Sequence, residues 1–329
     1  MHTRPMLCAV TAVAFTFAVA ADGSAQGWKP EKQQLDLVVG SPPGTGQDRV
    51  IRLVGEAMQR HSIVPLTPVI VNRAGGGGNI AFTHISQAPD KGHTLALSVL
   101  SLLTNKIQGV SAIGHEDVTP VAQLFTEYTA VWVAAGSPLK SAKDLIAELR
   151  KNPAAYSICV SPGLGAANHV GLMLPLRALG VDVKKLRIVV FGGSPEAFAS
   201  LLGGHTDIVA VSASNGIPHV KAGKMRALAI TAPARLPDVL ADVPVWRELG
   251  AEAVVGNWRG LVGAKGMSRA QVAYWEEAIA KVVETPEWKD YLVKASGEPQ
   301  FMRNAESKKF LDSQHEQIRP VFLELGLAK

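Results

Sequence analysis

Cysteine is nearly absent: Cys8 and Cys159 are the only two among 329 residues. Cys8 stands at the start of an N-terminal apolar run, not at its end where a lipid-modified cysteine belongs, and is expected to leave with that segment. With one cysteine remaining no internal disulfide is possible, so stability has to come from core burial. Charge is sparse as well. Charged residues make up 19% of the chain against 47% hydrophobic ones, which excludes a disordered chain and fits a packed one. The net charge of +5 comes from scattered cations, with no run of five and no interleaved aromatics, which excludes nucleic acid as a partner and modestly favours anionic ligands.

Long apolar runs are missing everywhere except at the start. Residues 1–25 carry Arg4, an apolar run from Leu7 to Ala21 and small residues around Ala21 and Ala25, the layout of a cleavable secretory signal. The run is 15 residues long, short of a membrane span, and the expected product is a processed, periplasmic chain. Removing Arg4 together with Asp22 leaves the net charge unchanged. What remains is long enough for two domains.

The motifs of common enzymes are lacking too. Gly44 and Gly46 begin a dinucleotide-like G-x-G, but Arg49 occupies the third glycine position. Gly223-Lys224 is followed by Met225 and not by the Ser or Thr of a phosphate-binding loop, and no G-x-S-x-G or H-E-x-x-H occurs. His61, His84, His93, His115, His169, His205, His219 and His315 show no metal-ligand spacing. No catalysis, metal or cofactor is expected.

What is present is an alternation of strand-length apolar runs and helical periodicity, as in a parallel α/β sheet. Strands are expected at 35–40, 68–72, 94–98, 131–135, 157–160, 187–191, 207–212 and 226–231. A helix over 48–61 buries Val50, Leu53, Val54, Ala57 and Met58 at three- and four-residue spacing. Ser194 reads as the N-cap of a helix with Pro195 at its first position and Gly203-Gly204 at its end, and Ser268 starts a helix holding Val272, Trp275, Ile279 and Val283. After Gly263 no strand is expected, only two or three helices, the last one kinked at Pro320.

Three of the strands run into small-residue loops that open helices: 40–48, 161–169 and 191–195. Glycine lets a ligand approach the backbone, and the first helical turn offers unpaired N–H groups at the positive end of its dipole, which suits a carboxylate. For any single loop a tight turn is the competing reading; three in one chain favour an anion trap. In open α/β sheets ligands bind at the carboxyl ends of strands, so the first two loops can face each other across a cleft that Ser98, Ser101 and Ser212 also line. His169 could donate to the anion from the second loop. Trp258 and Arg259 read as packing residues near the crossover between domains, with the cleft as the alternative.

Taken with the segments Val71 to Ile80, Ala199 to Asp207 and Ile217 to Ala229, these loops resemble the extracytoplasmic receptors of tripartite tricarboxylate transporters, the Bordetella uptake gene family, over nearly the whole mature chain. The segments Val189 to Phe198 and Asn257 to Gly260 resemble its tricarboxylate-binding branch. The resemblance implies a type II periplasmic-binding-protein fold, each lobe a mixed, mainly parallel sheet flanked by helices, with a hinge; lobe one would take 27–127 and 257–329, lobe two 128–256. It implies a small di- or tricarboxylate such as citrate, held by Gly44, Thr45, Gly46 and Gln47 of the first loop, with Asp48 capping its helix, and by Ser161, Gly163, Leu164, Gly165, Ala166, Ala167 and Asn168 of the second. Gly78 and Gly192 join this set. A monomer docking on large and small membrane subunits is expected; a sensor subunit, or less readily an enzyme acting on an organic acid, is the alternative. Two departures stand out: Pro43-Gly44-Thr45-Gly46 replaces a Gly-Gly pair, and Val211 stands where amino-acid-binding members have Asp, which argues against an amino-acid ligand.

Overall fold

The strand-length apolar runs sort into two groups of parallel strands joined through one long antiparallel strand. The computed structural model describes residues 27–89 and 92–329, and the expected signal segment 1–25 lies outside the described residues. On one side β1 (Gln34–Val39) pairs in parallel with β2 (Thr67–Asn72) and β3 (Thr94–Ser98). On the other β5 (Ser157–Val160) pairs in parallel with β6 (Arg187–Val190) and β7 (Ile208–Ser212). Between the groups run β4 (Thr119–Ala134) and β9 (Gly256–Gly263), giving the order β2-β1-β3-β9-β4-β7-β5-β6. β8 (Met225–Ile230) and β10 (Glu298–Arg303) both pair antiparallel with β4 off this path.

The parallel strands carry near-continuous apolar runs because helices cover them. α1 (Gly46–Arg60) buries Val50, Ile51, Val54, Ala57 and Met58 against β1 and β2, beside α8 (Arg269–Glu284), while α2 (Asn79–Ser86) packs on β1 and β3. Each fully buried side chain of this size contributes about 1.5–3 kcal/mol. In the second group α5 (Ala167–Ala178) sets Leu172 and Leu176 beside Ile158, Val160 and Ile208. Leu325, at the end of α10 (Asn304–Leu325), packs into this second core, so the last helix reaches from one group to the other. α8 starts where expected, Ser268 and Gln271 forming a capping box.

β4 is the element on which the two groups meet. Residues 119–128 pair with β9 and residues 129–134 with β7 and β8, so the strand changes sheets at Tyr128-Thr129. The chain returns at Val255-Gly256, and the two crossings are tied by Thr231, whose hydroxyl accepts from Thr129 N at 2.9 Å and donates to Val255 O at 3.0 Å.

Three expectations are corrected. The run at 131–135 is only the end of a 16-residue strand, whose earlier part carries buried polar residues such as Gln123 and Glu127 and so does not read as apolar. A strand does follow Gly263: β10, a half-exposed stretch containing Pro299 that pairs only with β4. Ser194 is the first residue of α6 (Ser194–Leu202) and Gly193 its N-cap; the Ser194 hydroxyl accepts from Asn215 Nδ2 at 3.0 Å. Pro320 lies inside α10, and α9 (Pro286–Ala295) completes the three helices of this region.

Candidate functional site

Each small-residue loop is fastened by its own side chains, which leaves its first helical amides free. In the first, Thr45 caps α1 by accepting from Asp48 N at 3.3 Å and donating to Pro42 O at 2.9 Å. Asp48 is buried and faces inward, where it accepts from Gly44 N at 2.9 Å, Arg52 Nε at 2.8 Å and Asn72 Nδ2 at 2.8 Å. Burial pushes its carboxyl up, but these three donors outweigh that and hold it below the usual carboxylate range. Gly46 and Gln47 open the helix, where backbone N–H groups have no intrahelical partner.

The second loop is fastened from both ends. His169 is 2% exposed and its Nδ1 accepts from Gly165 N at 3.0 Å. Burial lowers its pKa to about 4, so the ring is neutral and its Nδ1 is occupied within the loop. Asn168 donates to Ser161 O at 2.8 Å and accepts from Thr129 Oγ1 at 2.8 Å. Ala167 and Asn168 form the opening turn of α5. In the third loop Glu196 accepts from Gly192 N at 3.1 Å.

The three loops meet. One cavity of about 30 Å³ is lined by Thr45, Gly46 and Gln47 from the first, Ser161 and Asn168 from the second, Gly192, Gly193 and Ser194 from the third, and Ser212 and Arg259 from the floor. A second, of about 20 Å³, shares Gln47, Asn168 and Arg259 and adds Ser101, Ala166, Ala167 and Asn257. Of the expected site residues, Gly44, Asp48, Gly78, Ser98, Gly163, Leu164, Gly165 and His169 line neither. Gly44, Asp48, Gly165 and His169 fasten the loops. Gly78 backs the first loop, its Cα 2.7 Å from where a Cβ on Gly40 would stand, and Ser98 packs against Gly260.

Larger hollows lie elsewhere, one of about 550 Å³ between Tyr128, Pro237 and Leu292 among them. They touch none of the three loops, whereas the small cavities gather Thr45, Gln47, Ser101, Ser161, Asn168 and Ser212 of the polar groups the sequence singled out. The loops are in close contact: the first and third touch at Thr45 and Gly193, the second meets Gly77 at Gly163, and Arg49 donates to Asn215.

Of the floor, sequence reading expected Ser212 but gave Arg259 the cleft only as an alternative to packing. Arg259 on β9 is not a packing residue: it is 3% exposed, pairs with the buried Glu127 of β4 and lies in the wall of both cavities. Trp258 does pack, edge-to-face on Phe310 at 5.6 Å. Only the Glu127 side chain, far away in the sequence, distinguishes the two, and no local signal carried it.

A family model described as the tripartite tricarboxylate transporter family receptor matches residues 50–327. The chain is 29% identical over 259 residues to a UPF0065 protein from the tcbD-tcbE intergenic region of Pseudomonas sp. strain P51, covering 77% of this chain and 74% of that one. Among solved structures, the periplasmic binding protein BugD is similar at a TM-score of 0.82 and 24% identity, over 91% of this chain and 99% of that one. MatC from Rhodopseudomonas palustris, solved with bound malate, gives 0.78 and 24% over 88% and 98%. These two likenesses show the shared two-domain binding fold. The family and its structural neighbours are substrate-binding proteins and not enzymes. With the receptor model covering most of its length, the chain belongs to the tripartite tricarboxylate transporter receptor family, a family of periplasmic solute-binding proteins.

Proposed function

We propose that this receptor captures a small di- or tricarboxylate between two lobes, residues 27–127 with 257–329 and residues 128–256, and hands it to the large and small membrane subunits of a tripartite transporter. The observation that carries the reading is the convergence of three helix-opening loops on one pair of cavities. Amides of Gly46, Gln47, Ala167 and Asn168 sit at the positive ends of α1 and α5, and charged hydrogen bonds of this kind contribute about 1.5–3 kcal/mol each. A few suffice for micromolar affinity, about 8 kcal/mol net of ordering and desolvation. The malate bound to the similar MatC supports the ligand class.

Cavities of about 30 and 20 Å³ hold a water or so each, not an organic acid, so entry requires the lobes to part. The crossings at Tyr128-Thr129 and Val255-Gly256 are the natural hinge, with the end of α10 as a strap between lobes. Residues 1–25 would direct the chain to the periplasm as a monomer. The test is a thermal-shift screen over citrate, malate, succinate and adipate, with a neutral sugar and divalent metals as controls. A carboxylate should raise the melting temperature; a response to sugar or metal alone overturns the reading.

A further inference from the structure

The floor of the cleft contains a charged pair placed where a simple anion trap would need none. Arg259 and Glu127 are 3% and 2% exposed and lie on neighbouring strands, β9 and β4. A guanidinium has five N–H donors in one plane. Nη1 donates to Asn257 O at 3.2 Å, to Trp258 O at 3.1 Å and to Asn257 Oδ1, and Nη2 donates to Glu127 Oε1. Among the described residues the buried Nε–H has no acceptor, although an unpaired donor on a buried cation is costly.

Glu127 is saturated by comparison. Oε1 accepts from Ser212 Oγ at 2.9 Å as well as from Arg259, and Oε2 accepts from Ser214 Oγ at 2.8 Å. It therefore holds the guanidinium by one edge, while Asn257, which also donates to Ser212 Oγ at 2.7 Å, holds it from beneath. Among the described residues Arg259 is the only charged side chain in the wall of either cavity, and the Oγ of Ser101, in the wall of the second, is likewise buried without a partner. Two idle donors thus adjoin one small space, a few residues from the loop amides.

We infer that Arg259 is the specificity-determining residue of this cleft: it takes the second carboxylate of a ligand whose first carboxylate rests on the loop amides, with Ser101 donating beside it. Glu127 is a positioning residue that fixes the guanidinium plane. The receptor consequently selects diacids over monoacids of the same chain length. This rests on the carboxylate-receptor reading above, and it concerns the far end of the ligand.

The experiment is isothermal titration calorimetry with matched pairs, succinate against butyrate and adipate against hexanoate. It is run on the wild-type chain, on Arg259→Lys, which keeps the charge, and on the double variant Glu127→Gln/Arg259→Gln, which leaves no buried charge unpaired. The wild-type chain should prefer the diacid of at least one pair by about ten- to a hundred-fold, the size of a charged hydrogen bond or two. In both variants that ratio should collapse toward one by loss of diacid affinity, with monoacid affinity held within about three-fold. A purely structural ion pair would weaken both acids together. A ratio unchanged in variants with wild-type circular dichroism overturns the role of Arg259 while leaving the receptor reading intact. If no acid binds the wild-type chain, the receptor reading fails and takes this inference with it. Should the double variant not fold, Arg259→Lys alone decides.

Discussion

Thr45 and Gly193 touch where the first and third loops meet: a methyl group built on Gly193 would stand 2.5 Å from Thr45 Cγ2. Thr45 cannot rotate away, because its hydroxyl is held by Ser41, Pro42 and Asp48. The Gly193 backbone is extended, with φ −159°, so alanine fits there in every other respect. Gly193→Ala should leave the melting temperature close to wild type and weaken carboxylate affinity by about ten-fold, an overpacking cost of ~1–2 kcal/mol expressed only on closing. Small-angle scattering with saturating ligand should show a larger radius of gyration than for the wild-type chain.

His169 supplies a pH dependence. Its folded pKa of about 4 lies below the ordinary histidine value near 6.5, so between these values the unfolded chain binds a proton that the folded chain refuses. Stability therefore falls as the pH drops from about 6.5 toward 4, by up to about 3 kcal/mol, and is unaffected above that window. His169→Asn, which keeps an acceptor for Gly165 N–H, should flatten that slope in chemical denaturation run at a series of pH values.

Asp48 works in the same direction by a different cause. With its carboxyl held low by Arg52, Asn72 and Gly44 against the opposing effect of burial, it contributes stability at neutral pH that is lost as the pH falls through its folded pKa. Asp48→Asn keeps the size and removes the charge. A loss of about 1–3 kcal/mol in urea unfolding at pH 7 is expected. Ligand affinity should fall as well, because Gly44 is no longer fixed.

Cys159 is buried in β5, and burial together with the nearby Glu196 charge pushes its thiol up to about 12. The native chain should resist a disulfide reagent at pH 8 and react after denaturation. One thiol per chain indicates that Cys8 has gone with the first segment; two indicate that it remains.

The sequence was legible where burial and chemistry are local. Parallel strands covered on both faces are apolar throughout, and glycine and serine at their ends announce loops, so β1, β3 and β5 fall within a residue or so of expectation. The antiparallel strands were harder. β4 hides Gln123, Thr126 and Glu127 in its interior, Thr126 and Glu127 finding partners elsewhere in the chain, and β9, with Gly256, Gly260 and Gly263, has the composition of a turn. Gly260 is glycine because Ser98 and Gln123 would both lie within 3 Å of a Cβ, a reason visible only in three dimensions. Arg259 escaped for the same cause. Its meaning depends on Glu127, 132 residues earlier, and on an ion pair that periodicity does not record.

The central place of β9 has a consequence for how the molecule is assembled. It sits between β3 and β4, with Ser98 aligned to Gly260 and Thr126 to Trp258, yet it is made only after all of β5 to β8. A growing chain that has reached residue 255 holds two unpaired strand edges and has no means of joining them. The first sheet is therefore sealed by late sequence, a high-contact-order step expected to be slow, and a chain cut short before β9 forfeits the half that was synthesised first.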